Sequence, residues 1–341
     1  MRATGLLLDP SKKRGNAPSA PDAARPRRLS ARLGTQGAIY ALFLVTIVAF
    51  SIWAPSFATV ASLKNIARDA APTCVVSVGM TFVIIAAEID LSVASTISLA
   101  GLVTAVVLSE PGVPWPVAVL AGLAIGAGIG AVNGFLVGYV GVPSFLVTLG
   151  SLEAVGAIAL MATSTLSEPI TSTGFLDVFG PGSFLSVPLT GWWAIAAALL
   201  GGYVLHGSRF GRWVFAVGDS RNAARYAGIG KTRVLITVFV TAGVLAALTG
   251  ILLAGRTTSG DPTAGTDMEL SAIAAVILGG TDLFGGSGTI IGTVVGALFL
   301  TAIQVGLILL GASGQLQTLV TGAIIMVVVT LSSIANRSAA R

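Results

Sequence analysis

The sequence predicts an all-α polytopic membrane protein with about ten transmembrane helices, some of them interrupted, in two weakly repeated halves. Of its 341 residues, 54% are hydrophobic and only 10% are charged, whereas a soluble domain carries about 25% charged residues. Eight of the 19 Lys and Arg residues lie in the first 35 positions, so the rest of the chain is poorer still in charge. This composition excludes a soluble enzyme and a disordered protein.

The spacing of the apolar segments gives the helix count. A helix needs about 20 mainly apolar residues to cross the hydrocarbon core, and ten segments approach that length. The eighth is short, and charged residues separate the second from the third, so nine to eleven helices fit the pattern. The segments are 37–54, 71–87, 92–109, 115–138, 145–163, 190–206, 234–254, 269–281, 288–310 and 315–334.

The N-terminal segment 1–35 is rich in Pro, Ala, Ser and basic residues, which predicts a disordered cytosolic tail. A signal peptide is the alternative, but its basic region is short and a cleavage site should follow the apolar core. The long basic leader here, with Pro55 after the apolar run, favours an uncleaved first helix. Four arginines close to that helix favour anionic lipid headgroups: Arg25, Arg27, Arg28 and Arg32.

The basic residues orient the predicted membrane domain, 36–335. With the N-terminus inside, the cytoplasmic segments hold 16 Lys and Arg, and the external segments hold only Lys64, Arg68 and Arg256. This asymmetry places both termini, including 336–341, in the cytoplasm. The cytoplasmic excess of basic residues also accounts for the basic isoelectric point, so nucleic-acid binding is not needed to explain it. The internal cytoplasmic segments are 88–91, 139–144, 207–233 and 282–287.

Cysteine, histidine and glycine motifs argue against metal, disulfide and nucleotide chemistry. Cys74 and His206 are the sole residues of their types, so neither an intrachain disulfide nor a His-rich metal site is expected. The run from Arg225 to Thr232 approaches a phosphate-binding loop, but Arg225 replaces the first Gly and no strand precedes it. We therefore expect no cofactor, and any ATP that drives the protein must be hydrolysed by another chain.

Glycines recur at every fourth position in two of the apolar segments. Four-residue spacing keeps them on one face of a helix. Such a stripe lets a neighbouring backbone approach closely where lipid removes the hydrophobic driving force. The predicted packing residues are Gly122, Gly126, Gly130, Gly134 and Gly138 in the fourth segment and Gly288, Gly292 and Gly296 in the ninth.

Acidic residues interrupt the apolar stretch between the second and third segments. Asp90 or Ser92 can cap the following helix, and Glu88 precedes them. A simple cytoplasmic turn and a break that lines a conduction path both fit, because irregular backbone at membrane depth needs protein or a wet cavity beside it. A similar Asp–Leu pair at Asp282 suggests a second, repeated break, and Thr266 and Glu269 form a capping box before it.

Two further polar residues lie inside predicted spans. Glu153 and Asn133 are surrounded by apolar sequence, and such residues normally face the bundle interior or a cavity. Interhelical hydrogen bonding is the favoured role for Asn133. For Glu153, a structural role and a role in the pathway both remain open.

The longest charged internal segment is 207–233. Asp219 or Ser220 can cap a short helix that ends at Gly228. Such a helix is not stable alone, so it must dock on its own bundle or on a cytosolic motor. The side chains available for docking are Arg221 and Arg225, four residues apart, and the small residues Ala223, Ala224 and Ala227.

Four stretches, taken in order, resemble the permease subunit of ribose/xylose/galactose-type ABC importers over about residues 40–330. They begin at Gly79 (GMTFVII…IDLSV), Pro143 (PSFLVTLG), Gly211 (GR…AVG…AA…GI) and Glu269 (EL…AIAAVILGGT…LFGG). The family usually has Gly-Gly where this chain has Ala87 and Glu88.

The resemblance implies a transport subunit without enzymatic activity in the bacterial inner membrane, importing a monosaccharide or related polyol. It implies a second permease copy or homologue, cytosolic ABC ATPase subunits and an extracytoplasmic sugar-binding protein as partners. The segment 219–229 would be the coupling helix to the ATPase. From the residues alone, an ion-coupled secondary carrier using Glu88, Asp90 or Glu153 and a channel remain alternatives.

Overall fold

The computed structural model describes residue 41 and residues 43–339. The predicted tail 1–35, the start of the first apolar segment and the last two residues lie outside that part. The helices are α1 Phe43–Trp53, α2 Val60–Ile85, α3 Val93–Ser109, α4 Trp115–Phe135, α5 Ser144–Ala162, α6 Thr173–Phe179, α7 Leu189–Gly202, α8 Arg209–Asp219, α9 Arg221–Tyr226, α10 Lys231–Thr257, α11 Met268–Leu278, α12 Ile290–Leu309 and α13 Gly314–Ala339.

The all-α membrane fold is confirmed. Each of the ten predicted apolar segments overlaps one of these helices, and α4 and α7 continue through π-helical turns to Val140 and Gly207. In the described part of the chain, six helices are long and apolar enough to cross a membrane: α2, α4, α5, α7, α10 and α12. The apolar helices α1, α3 and α11 are shorter, and the number that cross the bilayer stays a prediction.

Two helix boundaries differ from the sequence prediction. Helix α2 begins at Val60 rather than at residue 71, because the side chain of Thr59 accepts a hydrogen bond from the N–H of Ser62. In its first turns Arg68 donates to the side chain of Asn65 at 2.6 Å, and Asp69 binds Arg256 of α10 at 3.1 Å. Helix α13 runs to Ala339, beyond the predicted end at 334.

Within residues 43–339, four two-residue strands form two small antiparallel pairs. Strand β1, Glu168–Pro169, pairs with β4, Ser259–Gly260. Strand β2, Ser183–Phe184, pairs with β3, Val187–Pro188. The first pair ties the loop after α5 to the residues that follow α10.

Helix α10 is the centre of the bundle and packs on α4, α3 and α2. The glycine stripe of α4 faces it: a Cβ at Gly126 would overlap the carbonyl of Gly243, and one at Gly134 would lie 2.7 Å from the Cα of Ile236. Gly122 instead faces Thr104 of α3. These backbones therefore touch directly, without side chains between them.

The second stripe joins α12 to α11. A Cβ at Gly292 would overlap the carbonyl of Gly279, and one at Gly296 would overlap that of Ala275. Gly288 lies before the helix, where a Cβ would lie 2.6 Å from the hydroxyl of Thr281. This close packing holds the short helix α11 against a helix of full membrane length.

Candidate functional site: two interrupted helices and a polar cavity

The joint between α2 and α3 is a sharp turn of buried residues. Ala87 has φ +59°, a conformation that L-residues other than Asn and Asp rarely adopt. Asp90 then accepts hydrogen bonds from the N–H of Ser92 at 3.0 Å and from its hydroxyl at 2.6 Å. Ser92 makes no side-chain cap. Backbone N–H groups at this joint are satisfied by Asp90 and by Ser144 of α5, whose hydroxyl accepts from the N–H of Ile89 at 3.1 Å.

Three predicted site residues meet in one buried hydrogen-bond chain. The side-chain amide of Asn133 on α4 donates to the hydroxyl of Ser92 at 2.9 Å. The hydroxyl of Ser151 on α5 donates to the Asn133 carbonyl oxygen at 2.5 Å. Asp90, Ser92 and Asn133 are almost fully buried, so this chain fixes the joint to α4 and α5.

A second interruption separates α11 from α12. Helices α2 and α11 end alike: Ala87 and Gly280 both have positive φ, and the next residue in each case donates to a carbonyl five positions back. When Ala87 is aligned with Gly280, Asp90 corresponds to Leu283. Asp282, which the sequence pattern matched to Asp90, is therefore one position out of register. Asp282 nevertheless accepts from the N–H of Phe284 at 3.0 Å, as Asp90 accepts from that of Ser92.

The start of α11 differs from the capping box expected at Thr266 and Glu269. Asp267 is the N-cap residue, with φ +63° and no capping side-chain bond. The hydroxyl of Thr266 donates instead to the carbonyl of Thr263 at 2.8 Å. The prediction fails because the preceding residues form a series of turns packed on α3, which gives the N-cap a left-handed backbone.

The segment between α10 and α11 descends along α3. Gly260 packs on Leu102 and Ala105, whereas Gly265 packs on Ala94 and donates its N–H to the hydroxyl of Ser98 at 3.0 Å. Ala94 lies about 16 Å below Ala105 at the helical rise per residue. Helix α11 therefore starts part-way along the bundle, after a stretch of irregular chain that packs on α3.

A cavity of about 370 Å³ lies where this irregular segment meets α3 and α5. Its walls carry the carboxylates of Glu153, Asp267 and Glu269. Hydroxyl groups line the same space, from Ser95, Ser98, Thr263 and Thr266. Hydroxyls and carboxylates set among apolar side chains around a cavity within a helical bundle are suited to a small polar solute.

Glu153 and Glu269 are the acids best placed in this cavity. Glu153 lies on the exposed face of α5, two positions after Ser151, and so belongs to the cavity rather than to the buried hydrogen-bond chain. The Oε2 atom of Glu269 is shielded from solvent and has no hydrogen-bond partner in the structure. A bound solute with a hydroxyl donor would satisfy that oxygen.

Glu88 is oriented away from the cavity. Its carboxylate pairs with Arg221 of α9 at 2.6 Å and is 6% exposed, against 47% for the Arg221 side chain. A residue predicted for the pathway thus contacts one predicted for ATPase coupling. The residues predicted for the pathway and those predicted for ATPase coupling are therefore in contact at the end of α2.

The charged internal segment contains two helices, where the sequence predicted one. Asp219 is the last residue of α8, and the hydroxyl of Ser220 caps α9 by accepting from the N–H of Ala223 at 3.2 Å. Gly228 has φ +76° and ends the turn after α9. The amphipathic pattern of α8, with Val214 and Val217 buried, is the signal that could have identified this helix.

Helix α9 has one docked face and one free face. Ala224 is 3% exposed and belongs to the main hydrophobic core, so it contacts its own bundle and is not available to a partner. Ala223 and Arg225 are exposed, and Tyr226 is 93% exposed. The side chains open to a partner therefore lie on the face opposite Ala224.

Asp267, Glu269 and the hydroxyls beside them were not assigned to the pathway from the sequence. The available signal was the short eighth segment, 269–281, preceded by ten residues rich in Gly, Thr and Asp. A short apolar segment next to a run of turn formers is typical of a broken membrane helix.

A bundle of apolar helices with two interrupted helices and a polar cavity between them defines a multi-pass membrane transport protein. Residues 62–329 match the family described as branched-chain amino acid transport system/permease component. The chain belongs to this permease family.

Several relatives align with the chain over most of their length. The ribose import permease protein RbsC of Escherichia coli K12 is 40% identical over 296 residues, which are 85% of this chain and 91% of that protein. RbsC of Bacillus subtilis is 38% identical, covering 86% and 91%. The D-allose transport system permease protein AlsC of E. coli K12 is 31% identical, covering 88% and 92%. No solved structure gives a significant match to the chain.

Proposed function

We propose that this chain is the membrane-spanning permease subunit of an ATP-driven importer that moves a monosaccharide or related small polyol by alternating access. The similarity to ribose and allose permeases over nearly their whole length supports the sugar class. The cavity beside α11 is the structural feature that carries the proposal, because it combines an interrupted helix with polar side chains inside an apolar bundle.

The cavity chemistry favours a polyol over a branched-chain amino acid, which the family description names. Three carboxylates and four hydroxyls accept and exchange hydrogen bonds with sugar hydroxyls. The residues that line the cavity in the described part of the chain include no Lys or Arg to balance an α-carboxylate.

ATP hydrolysis belongs to a partner in this proposal. Two permeases enclose the pathway, and cytosolic ABC ATPase subunits dock on the exposed face of α9 around Tyr226. An extracytoplasmic sugar-binding protein docks at the opposite end, near the β2–β3 hairpin. The basic asymmetry of the sequence supports this orientation, with both termini in the cytoplasm of a bacterial inner-membrane protein.

The test is sugar uptake by proteoliposomes that contain the permease with its ATPase and binding protein. Labelled ribose and allose are supplied outside, with ATP enclosed inside. We expect ATP-dependent uptake, and a loss of at least five-fold in Glu153→Gln. Glu110→Gln, which alters an exposed acid at the end of α3, is the control and should transport normally. Uptake that persists without ATP but collapses with the ion gradient would refute the proposal in favour of a secondary carrier.

A further inference from the structure

The Glu88–Arg221 ion pair joins two parts of the chain that are 133 residues apart in sequence. One partner is nearly buried at the end of α2, and the other is the first residue of α9. A second contact reinforces it, since Arg221 also approaches the carbonyl of Ala87 at 3.5 Å. Opposite charges in such a partly buried site attract more strongly than they do in water.

Three chain segments surround this ion pair and leave little space between them. A Cβ at Gly218, at the end of α8, would overlap the carbonyl of Ile85. The N–H of Gly286, in the loop between α11 and α12, donates to that same carbonyl at 2.9 Å. A Cβ at Gly286 would also lie 2.9 Å from the Cα of Asp219. Gly218 and Asp219 end α8 and lead directly into α9, so a displacement of the α8–α9 junction relative to the bundle acts directly on both interrupted helices.

The contacts continue from the ion pair towards the cavity. Two residues after Glu88, Asp90 begins the hydrogen-bond chain that runs through Ser92 and Asn133 to Ser151. Ser151 lies two residues before Glu153, which lines the cavity. Side-chain contacts, joined by two short stretches of backbone, thus connect α9 with the wall of the cavity.

We propose that Glu88 and Arg221 are positioning residues, which transmit movement of α9 to the α2–α3 joint and so couple ATP hydrolysis to rearrangement of the cavity. This inference rests on the proposed function. It gives Glu88 a role different from contact with the solute. It also assigns Arg221 an intramolecular partner. Arg225 makes no ion pair with any residue that the structure describes, so Arg225 rather than Arg221 is the cation of α9 placed to face the ATPase.

The experiment is a double-mutant cycle in the complete reconstituted transporter. Glu88→Gln, Arg221→Gln and the double variant are compared for sugar-stimulated ATP hydrolysis and for sugar molecules imported per ATP hydrolysed. We expect each single variant to lower the number imported per ATP at least five-fold while the ATPase still copurifies. The double variant should be no worse than the poorer single variant, because both remove the same interaction.

Two further variants separate coupling from folding. The reversed pair Glu88→Arg with Arg221→Glu should recover part of the coupling. Arg256→Gln breaks the ion pair between Asp69 in the third turn of α2 and the end of α10, and it should keep the wild-type number imported per ATP. Single variants with wild-type coupling, or losses that add in the double variant, would overturn the inference. A wild-type complex without ATP-driven uptake would instead overturn the proposed function.

Discussion

Replacing Gly130 by leucine tests the close packing of α4 on α10. A Cβ at Gly130 would overlap the carbonyl oxygen of Phe239 and lie 2.8 Å from the Cα of Val240. Ordinary contact begins at 3.4 Å, so the backbones must separate by about 0.6 Å to clear the Cα of Val240 and by more to clear the Phe239 oxygen, even for a methyl group alone. A gap of that size forfeits roughly a quarter to a half of the dispersion energy of the contacts it opens.

The expected cost is on the order of 3 kcal/mol, the upper end of the range for overpacking a well-packed site. The bulk of the leucine adds to the displacement of the backbone, and α10 is the central helix of the bundle. The assay is thermal unfolding of detergent-solubilised protein, followed by size-exclusion chromatography. We expect the apparent melting temperature to fall by about 4 °C, from an unfolding entropy that scales with chain length.

The matched control lies two residues earlier on the same helix. Gly128 is exposed, and a Cβ there would meet nothing within 4 Å. Gly128→Leu should therefore be neutral, or gain up to about 1 kcal/mol from removing glycine from a helix interior. Equal effects of the two substitutions, or an unchanged melting temperature for Gly130→Leu, would refute the packing argument.

Three other predictions follow from the site. Tyr226→Glu changes the exposed face of α9, so it should leave the fold intact and reduce ATPase copurification several-fold. Ala224→Glu should instead destabilise the permease itself, because Ala224 is buried. Asp90→Ala should lower stability by about 1–2 kcal/mol through loss of an acceptor for backbone N–H, and Asp90→Asn should cost less, both measured by thermal unfolding. A membrane-impermeant maleimide should label Tyr226→Cys only from the cytosolic side and Leu185→Cys only from outside; Cys74 is buried and should stay unlabelled.

Each of these measurements has an outcome that contradicts its reasoning. Normal ATPase recovery with Tyr226→Glu would show that the free face of α9 does not bind the ATPase. A stable Asp90→Ala variant would remove Asp90 from the support of the joint. Labelling of both engineered cysteines from one side of the membrane would refute the assignment of sides.

The local features of the site could largely be predicted from the sequence. Asp90 at the joint, the glycine stripe facing a neighbouring helix and a short helix ending at Gly228 all depend on residue type at fixed spacing. The partners of those residues could not be predicted, since a pattern of residues four apart does not state what will pack against it. The burial of Ala224 and the pairing of Glu88 with Arg221 are of this second kind.

The sequence by itself determined that this chain is an α-helical membrane protein, because the transfer of a segment out of water depends on its own composition and length. Its similarity to known permeases likewise needs no coordinates. Only the tertiary structure decided that the residues before α11 descend along α3 and that Glu153 and Glu269 line the same cavity. The physical reason is that these contacts join residues more than a hundred positions apart, and packing of the whole bundle sets their distances.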